Sequence, residues 1–323
     1  MAKLVFSICL VVIGIGVGYG VQIIISTYRP TTAIDVIRKN LQRAALLGFN
    51  PVAILGATWV ANIDDIKIAA LPFMGMIALV TGGCLAFAVS RLLHLNSGQT
   101  GSYIVCGGFT NIGSLGALFC FIFLGEAGFA LVPFYKLFEE FMYYAIGFPI
   151  AKSYSSDMTR SLSYIARIKA TATDLFVVVA VSSIAAGLVL NLSRIARPPV
   201  YGTINSVFIP LAAFLLLVSI GMAMRFSSVK TFFVPGLMIA LIKFAVVPLL
   251  VVGIGYGLGL DRIDNGLPLK VTLILSSMPV GFIAMVPPTL YRLDIDLANA
   301  CWLMTNAAML LEIPLLVLLM KWI

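Results

Sequence analysis

The feature that most constrains this chain is a succession of long apolar segments separated by short polar loops. A helix that spans a bilayer needs about 20 mostly apolar residues, and the chain contains ten segments close to that length. Hydrophobic residues make up 61% of the 323 positions and charged residues 11%. A soluble domain is about half apolar and about a quarter charged. The sequence therefore predicts an all-α polytopic membrane protein with ten transmembrane helices.

The predicted spans form two groups of five. They are Leu4–Ser26, Ala44–Asn62, Ile66–Leu92, Ser97–Leu124 and Ala127–Lys152, then Thr173–Leu192, Thr203–Met224, Thr231–Leu258, Gly266–Tyr291 and Leu297–Trp322. The amphipathic segment Thr31–Arg43 predicts an interfacial helix. With the N-terminus outside, twelve Lys and Arg residues fall in inside loops and seven in outside loops. This excess favours extracytoplasmic termini in a multi-pass protein of the cell membrane.

The second half repeats the span spacing of the first half. Pro314 of the tenth span follows Pro149 of the fifth by 165 residues, and the same shift brings the other spans into approximate register. Because each half has an odd number of spans, the halves lie in opposite orientation, a common architecture of secondary transporters. The predicted domains are a first inverted repeat at 1–152, a short cytosolic linker at 153–172 and a second repeat at 173–323.

The fourth and ninth spans contain residues that oppose a continuous helix. Asn111 and several glycines lie in the middle of the fourth span, and each glycine costs about 1 kcal/mol relative to alanine. Pro279 interrupts the ninth span, because proline removes a backbone donor. Interruptions in corresponding positions of two repeats are a pointer to a midplane substrate site. For Gly113 and Gly116 taken alone, close helix packing is the favoured alternative.

We expect the substrate to bind at these two breaks. Unwound backbone within the hydrocarbon persists only where protein buries it or where it lines a water-filled cavity. Half-helices that begin at a break direct their N–H groups and positive dipole ends toward it, which suits an anion. The predicted substrate-binding residues are Gly108, Thr110, Asn111, Gly113, Ser277, Met278, Pro279 and Gly281.

Five ionisable residues within spans are candidates for coupling: Lys136, Glu139, Glu140, Lys243 and Glu312. A central charge costs about 2.5–3.5 kcal/mol, so such residues usually face the bundle interior. Lys136 can pair locally with the two glutamates that follow it, or one glutamate can be a protonatable coupling group. Glu312 has no basic partner nearby in sequence and is the preferred coupling group. Lys243 either pairs with Glu312 or meets a substrate carboxylate.

Several other classes of function are excluded by the sequence pattern. The net charge of +8 does not indicate nucleic-acid binding, because Lys and Arg lie in short loops between apolar segments. The five cysteines lie in apolar segments and are expected to be buried thiols. One histidine without an acidic cluster gives no metal site. No cofactor motif and no constellation of an intramembrane enzyme is present, so we expect a protein that is not an enzyme.

Two motifs resemble signatures of a known family. The run Gly107–Gly116, followed by Phe123–Gly128, resembles the fourth-span signature of the auxin efflux carrier family. Met278–Gly281, followed by Tyr291–Asp294, is similar to its ninth-span signature. The resemblance extends over the whole chain, and the short linker resembles prokaryotic members of this bile acid/auxin transporter superfamily. The chain departs from the family at Ala117, where many members have proline.

The resemblance implies ten spans in two inverted repeats, with a scaffold domain and a transport domain whose two broken helices cross. It places Asn111 and Pro279 at the crossing, and it implies transport of organic anions such as auxins or small dicarboxylates.

The predicted function is secondary transport of a small organic anion, a carboxylate, by alternating access. We favour proton coupling or uniport over sodium coupling, because the ninth span has no Asp or Glu as a sodium ligand. A sodium-coupled symporter of the bile-acid type and a non-transporting membrane sensor stay open as alternatives. The oligomeric state, including a homodimer, is also open.

Overall fold

The structure, a computed structural model, describes residues 2–28, 31–61, 65–155, 173, 175–224 and 226–323. Within these ranges the chain forms α-, 3-10 and π-helices joined by short loops, and no β-strand is present. One isolated antiparallel bridge joins Thr110 and Val280. The predicted all-α fold class is confirmed.

Six helices in the described part of the chain are long and apolar enough to cross a bilayer. They are Val5–Thr27, Ile66–Leu92, Ile112–Ser153, Val200–Gly221, Phe233–Gly257 and Ile295–Leu319. Each coincides with or overlaps a predicted span. These helices are those of a multi-pass membrane protein, whereas the count of ten spans stays a prediction.

Two of the remaining predicted spans form shorter helices. In place of Ala44–Asn62 the chain forms a π-helix, Ala44–Phe49, and then an α-helix, Asn50–Trp59; residue 62 lies outside the described residues. In place of Thr173–Leu192 it forms the 18-residue helix Leu175–Leu192.

The segment Ile112–Ser153 is 42 residues long. A straight α-helix of that length would measure about 63 Å, roughly twice the thickness of the hydrocarbon core. The segment is interrupted at Gly125, which has φ 75° and ψ −162°, and again by a turn at residues 136–138. Glycine adopts a positive φ without a Cβ clash. The predicted boundary between the fourth and fifth spans therefore coincides with a break in the helix.

The chain divides into two compact units. The first unit consists of Met1–Asp64, Ser114–Pro133 and Asp174–Met224, and the second of Asp65–Gly113, Phe134–Thr173 and Arg225–Ile323. Each unit therefore takes segments from both halves of the sequence. Most of the predicted linker at 153–172, namely residues 156–172, lies outside the described residues.

The first unit is built on helices that approach one another closely at glycines. Its helices are Ala2–Tyr28, Thr31–Arg43, Ala44–Phe49, Asn50–Trp59, Leu175–Leu192, Val200–Gly221 and Ala117–Tyr135 as far as Pro133. A Cβ on Gly18 would collide with the backbone of Val218, and a Cβ on Gly221 would collide with the backbone of Ile15. Gly18 and Gly221 thus serve helix packing, whereas Gly16 and Gly20 have nothing within 4 Å of a Cβ position.

The predicted amphipathic helix Thr31–Arg43 is present with the predicted bounds. Its Ile34 is buried against Val218 and Met222, and Leu41 packs against the same cluster. The apolar face of this helix is therefore covered in part by the first unit itself.

The second unit contains the remaining helices. The longer ones are Leu71–Leu92, Ser97–Gly108, Phe233–Leu241, Val247–Gly257, Leu267–Ser276 and Ile295–Leu319. The shorter α-helices are Glu139–Phe141, Phe148–Ser153 and Val286–Leu290, and two π-helices are Met142–Gly147 and Ile242–Val246. The 3-10 turns are Ile66–Ala70, Phe226–Ser228, Leu260–Arg262, Asp264–Gly266 and Phe282–Met285, and the π-helix Ile112–Gly116 spans the boundary of the units.

The five cysteines do not share one environment. Cys106, Cys120 and Cys301 are buried, whereas Cys9 and Cys84 are exposed. The expectation of five buried thiols is therefore wrong for the last two. An apolar segment in a membrane protein has an outward face that is as hydrophobic as its inward face, so composition alone does not assign a thiol to either.

Candidate functional site

Two helices of the second unit end in the middle of predicted spans. Helix Ser97–Gly108 ends at Phe109, whose backbone is extended, with φ −93° and ψ 122°. Helix Leu267–Ser276 ends before Pro279, and Gly281 is again extended, with φ −74° and ψ 149°. A residue that precedes proline is driven away from the helical region. The interruptions predicted for the fourth and ninth segments are therefore present.

The two interrupted segments pair with each other. The N–H of Asn111 donates to the carbonyl of Pro279 at 2.9 Å, and the N–H of Gly281 donates to the carbonyl of Phe109 at 3.0 Å. A Cβ on Gly281 would lie 2.9 Å from the carbonyl oxygen of Thr110, so this pairing requires a glycine. We call this pair of segments, Phe109–Asn111 with Pro279–Gly281, the crossover.

The remaining N–H groups of the crossover are also satisfied. The N–H of Thr110 donates to the hydroxyl oxygen of Tyr143 at 3.0 Å, and the N–H of Val280 donates to the hydroxyl oxygen of Thr305 at 3.2 Å. The N–H of Phe109 donates to the carbonyl of Val105 at 2.8 Å, so all five backbone donors are engaged within the second unit. A ligand at the crossover must be recognised by other groups.

Capping interactions position two of the helices that meet there. Asn96 and Gln99 form a capping box at the start of helix Ser97–Gly108. Gln99 Nε2 also donates to Asp294 Oδ2 at 3.2 Å, and Asp294 caps helix Ile295–Leu319 by accepting from the N–H of Leu297. The N-termini of the two helices are thus tied together through one glutamine.

Lys243 is the charged group closest to the crossover. It lies in the π-helix Ile242–Val246, is 1% exposed, and donates from Nζ to the hydroxyl oxygen of Thr110 at 2.5 Å. Among the residues that the structure describes, no carboxylate lies within 4.0 Å of this ammonium. The alternative in which Lys243 pairs with Glu312 is therefore wrong. A π-helical turn is frequent at functional sites.

A chain of polar contacts leads from Thr110 to a second lysine. The Tyr143 hydroxyl, which accepts from the N–H of Thr110, donates to Glu139 Oε1 at 2.7 Å. Glu139 is 5% exposed, and its other oxygen lies 3.1 Å from Nζ of Lys136. The local pairing of Lys136 with Glu139 predicted from their spacing is confirmed. Tyr143 was not identified from the sequence, because a tyrosine in an apolar segment gives no local signal of its partner.

Polar side chains also lie beside the second break. The hydroxyl of Ser277 is fully buried and has no hydrogen-bond partner among the described residues. Asn306 Nδ2 donates to the carbonyl of Trp302 at 2.8 Å and lies 3.5 Å from the carbonyl of Val280. Helix Ile295–Leu319 thus supplies both Thr305 and Asn306 to this side of the crossover.

The predicted substrate-binding residues all lie in the second unit. Thr110, Asn111, Pro279 and Gly281 belong to the crossover, while Gly108 ends the helix before it. Ser277 and the fully buried Met278 precede Pro279. Gly113 follows in the π-helix, where a Cβ would lie 3.1 Å from Nζ of Lys136.

Glu312 stands apart from these contacts. It lies on helix Ile295–Leu319 and is 6% exposed, and its Oε1 has no hydrogen-bond partner among the described residues. Glu140 is half-buried next to Glu139. Of the two, only Glu312 is a buried carboxylate outside the Lys136 ion pair.

A further ion pair, half-buried, lies in the first unit and was missed from the sequence. The carboxylate of Glu126 binds both guanidinium nitrogens of Arg197 and accepts from the side-chain amide of Asn205. Arg197 also donates to the carbonyl of Gly56 at 2.8 Å. These contacts fix the residue that follows Gly125 to two neighbouring helices, so we assign the cluster a structural role.

Comparison with known proteins supports a transporter. No protein-family model matches the chain. The chain is similar to an "Uncharacterized transporter" of Methanothermobacter thermautotrophicus, with 23% identity over 277 residues, which cover 85% of this chain and 87% of that protein. This similarity is consistent with a protein that is not an enzyme.

Proposed function

We propose that this protein is a secondary transporter that moves a small organic anion of the carboxylate class across the membrane by alternating access. The anion binds beside the crossover, where its carboxylate meets the ammonium of Lys243. The observation that carries the proposal is this buried ammonium, bonded to the Thr110 hydroxyl and without a described carboxylate within 4.0 Å. The similarity to a protein named as a transporter supports the general class.

The energetics favour an anionic ligand. A cation near the middle of a span costs about 2.5–3.5 kcal/mol, and a neutral hydroxyl compensates only part of that cost. A bound carboxylate supplies the missing charge and a charge-assisted hydrogen bond. Since the N–H groups of the crossover already have partners, recognition falls to side chains, with Lys243 first and the buried hydroxyl of Ser277 next.

The proposal includes ten spans in two inverted repeats, as in the auxin efflux carriers that the chain resembles. The spacing of the helix ends supports it. Five helix ends in the first half are followed 162 to 168 residues later by a helix end in the second half: Tyr28 by Leu192, Trp59 by Gly221, Leu92 by Gly257, Gly108 by Ser276, and Ser153 by Leu319. The sequence pattern gave the same shift, 165 residues.

We assign the second unit the role of transport domain, because it contains both interrupted segments, and the first unit the role of scaffold. The boundaries of the units support a repeat. The first unit ends at Asp64 in one half of the chain and at Met224 in the other, a separation close to the repeat shift. Both units are embedded in the lipid bilayer.

For coupling we propose the proton, with Glu312 as the titrating group. Its carboxylate is buried and has an oxygen without a described hydrogen-bond partner, so nothing in the described structure holds it in the charged form. Glu139 is bound by Lys136 and Tyr143 and is assigned to stability.

The experiment that tests the function has two steps. Purified protein is screened for thermal stabilisation by small mono- and dicarboxylates, and each compound that binds is then assayed for uptake into proteoliposomes. We expect at least one carboxylate to stabilise the protein and to be taken up. If no carboxylate does either, the proposal is wrong. If uptake is lost when choline replaces sodium, the protein is a sodium-coupled symporter instead.

A further inference from the structure

An apolar groove lies on the second unit, directly beside the crossover. It encloses about 320 Å³ between helix Leu71–Leu92, helix Ser97–Gly108 and residues 142–154. Its walls consist almost wholly of carbon atoms. Lys243 does not line this groove.

Glycines create the space inside the groove. A Cβ on Gly147 would collide with the ring of Phe109, so only a glycine lets the opposite wall approach. At Gly83, by contrast, a Cβ would meet no heavy atom closer than 3.9 Å. A larger side chain at Gly83 would therefore occupy the groove without first displacing the backbone.

The groove is elongated. Its wall on helix Leu71–Leu92 extends from Leu79 to Phe87, eight residues that rise about 12 Å.

The rim of the groove is exposed and hydrophobic. Val80 is 47% exposed, Phe87 38%, and Ile146 and Ile150 are each 40% exposed. On a membrane-spanning helix such a surface contacts lipid tails. The chemistry of the rim therefore matches an acyl chain.

The outer end of the groove carries positive charge. Arg91 lies one turn beyond Phe87, is exposed, and has its guanidinium carbon 5.0 Å from the Phe87 ring centroid. Lys152 lies in the last turn of helix Phe148–Ser153, which forms part of the opposite wall. Both residues belong to the twelve that the sequence pattern assigns to the inside, where the leaflet is rich in anionic lipids.

We propose that this groove binds one anionic phospholipid, with an acyl chain between the two walls and the phosphate beside Arg91 and Lys152. The inner end of the acyl chain then contacts Phe109 and Tyr143. Both residues accept hydrogen bonds from backbone N–H groups of the crossover. The lipid thereby stabilises the crossover from the membrane side.

Native mass spectrometry of the full chain, released from mixed micelles of phosphatidylglycerol and phosphatidylcholine, tests the proposal. We expect one phosphatidylglycerol to be retained by the unaltered protein and lost from Gly83→Leu. The control is Gly253→Leu, an exposed helical glycine with nothing within 4 Å of its Cβ position, which should retain the lipid. Arg91→Gln should lower the preference for phosphatidylglycerol over phosphatidylcholine about fivefold.

A second measurement leaves the groove unaltered. Cys84 is exposed and lines the groove. In a Cys9→Ser variant it is the one exposed cysteine, because the other three thiols are buried. Phosphatidylglycerol should slow its reaction with a lipid-soluble maleimide, and phosphatidylcholine should slow it less. Retention of lipid by Gly83→Leu, or a labelling rate that does not depend on the lipid, overturns the proposal. So does a dimer that Gly83→Leu dissociates, because the groove would then be a subunit interface.

Discussion

Replacing Lys243 with Met separates a substrate-binding lysine from a structural one. Methionine retains a long apolar side chain and removes the ammonium. The charge itself costs about 2.5–3.5 kcal/mol in the span, and its hydrogen bond to Thr110 contributes about 1.5–3 kcal/mol. Because these terms nearly cancel, Lys243→Met should leave the free energy of unfolding unchanged or raise it by at most about 2 kcal/mol.

The affinity for a carboxylate, in contrast to the stability, should fall in Lys243→Met. Loss of one charge-assisted contact worth about 1.5–3 kcal/mol lowers carboxylate affinity about 10- to 150-fold. Affinity is measured by calorimetry on purified protein, and stability by thermal unfolding of the same sample. Lys270→Met, at a lysine that donates to the carbonyl of Asn265 at the start of its helix, is the matched control and should change neither. A Lys243→Met variant that loses several kcal/mol of stability, with unchanged affinity, would refute the assignment.

Three further predictions concern the crossover, the buried carboxylates and the helix break. Asn111→Ala should abolish uptake into proteoliposomes at an unchanged unfolding midpoint, because the N–H that bonds to Pro279 is retained; normal uptake would remove Asn111 from the site. Glu312→Gln should blunt the pH dependence of uptake, whereas Glu139→Gln should mainly lower the unfolding midpoint, and the reverse pattern would exchange their roles. Gly125→Ala should destabilise the protein by about 1–3 kcal/mol, because φ is 75° there. The control is Gly253→Ala, at a helical glycine, which should stabilise the protein by up to about 1 kcal/mol. If both variants changed the stability equally, backbone strain at Gly125 would be refuted.

Much of the candidate site could be predicted from the sequence, because the patterns that indicate it involve residues close together in the chain. The glycines before Asn111 and the proline at 279 oppose a helix wherever they occur, so both breaks were predicted in place. The pairing of Lys136 with Glu139 follows from a spacing of three residues, which fixes their approach on any helix. Hydropathy likewise predicted the bounds of Ile66–Leu92 without knowledge of the rest of the fold.

The contacts that join distant segments could not be predicted from the sequence. Lys243 and Thr110 are 133 residues apart, and the sequence left the partner of Lys243 open between Glu312 and a substrate. Glu126 and Arg197, 71 residues apart, were not connected at all. A charged residue in a span indicates that it needs a partner, but the packing of the helices decides which partner residue it contacts.

The sequence by itself determined that this is a helical membrane protein with two interrupted segments, because burial in lipid and helix propensity act residue by residue. Only the tertiary structure decided that the two interruptions pair and that their five N–H groups are satisfied. It also decided that Lys243 lies beside them with no described carboxylate within 4.0 Å. Those facts depend on which surfaces of the helices meet, and hydrophobicity alone does not distinguish an outward face from an inward one in a membrane.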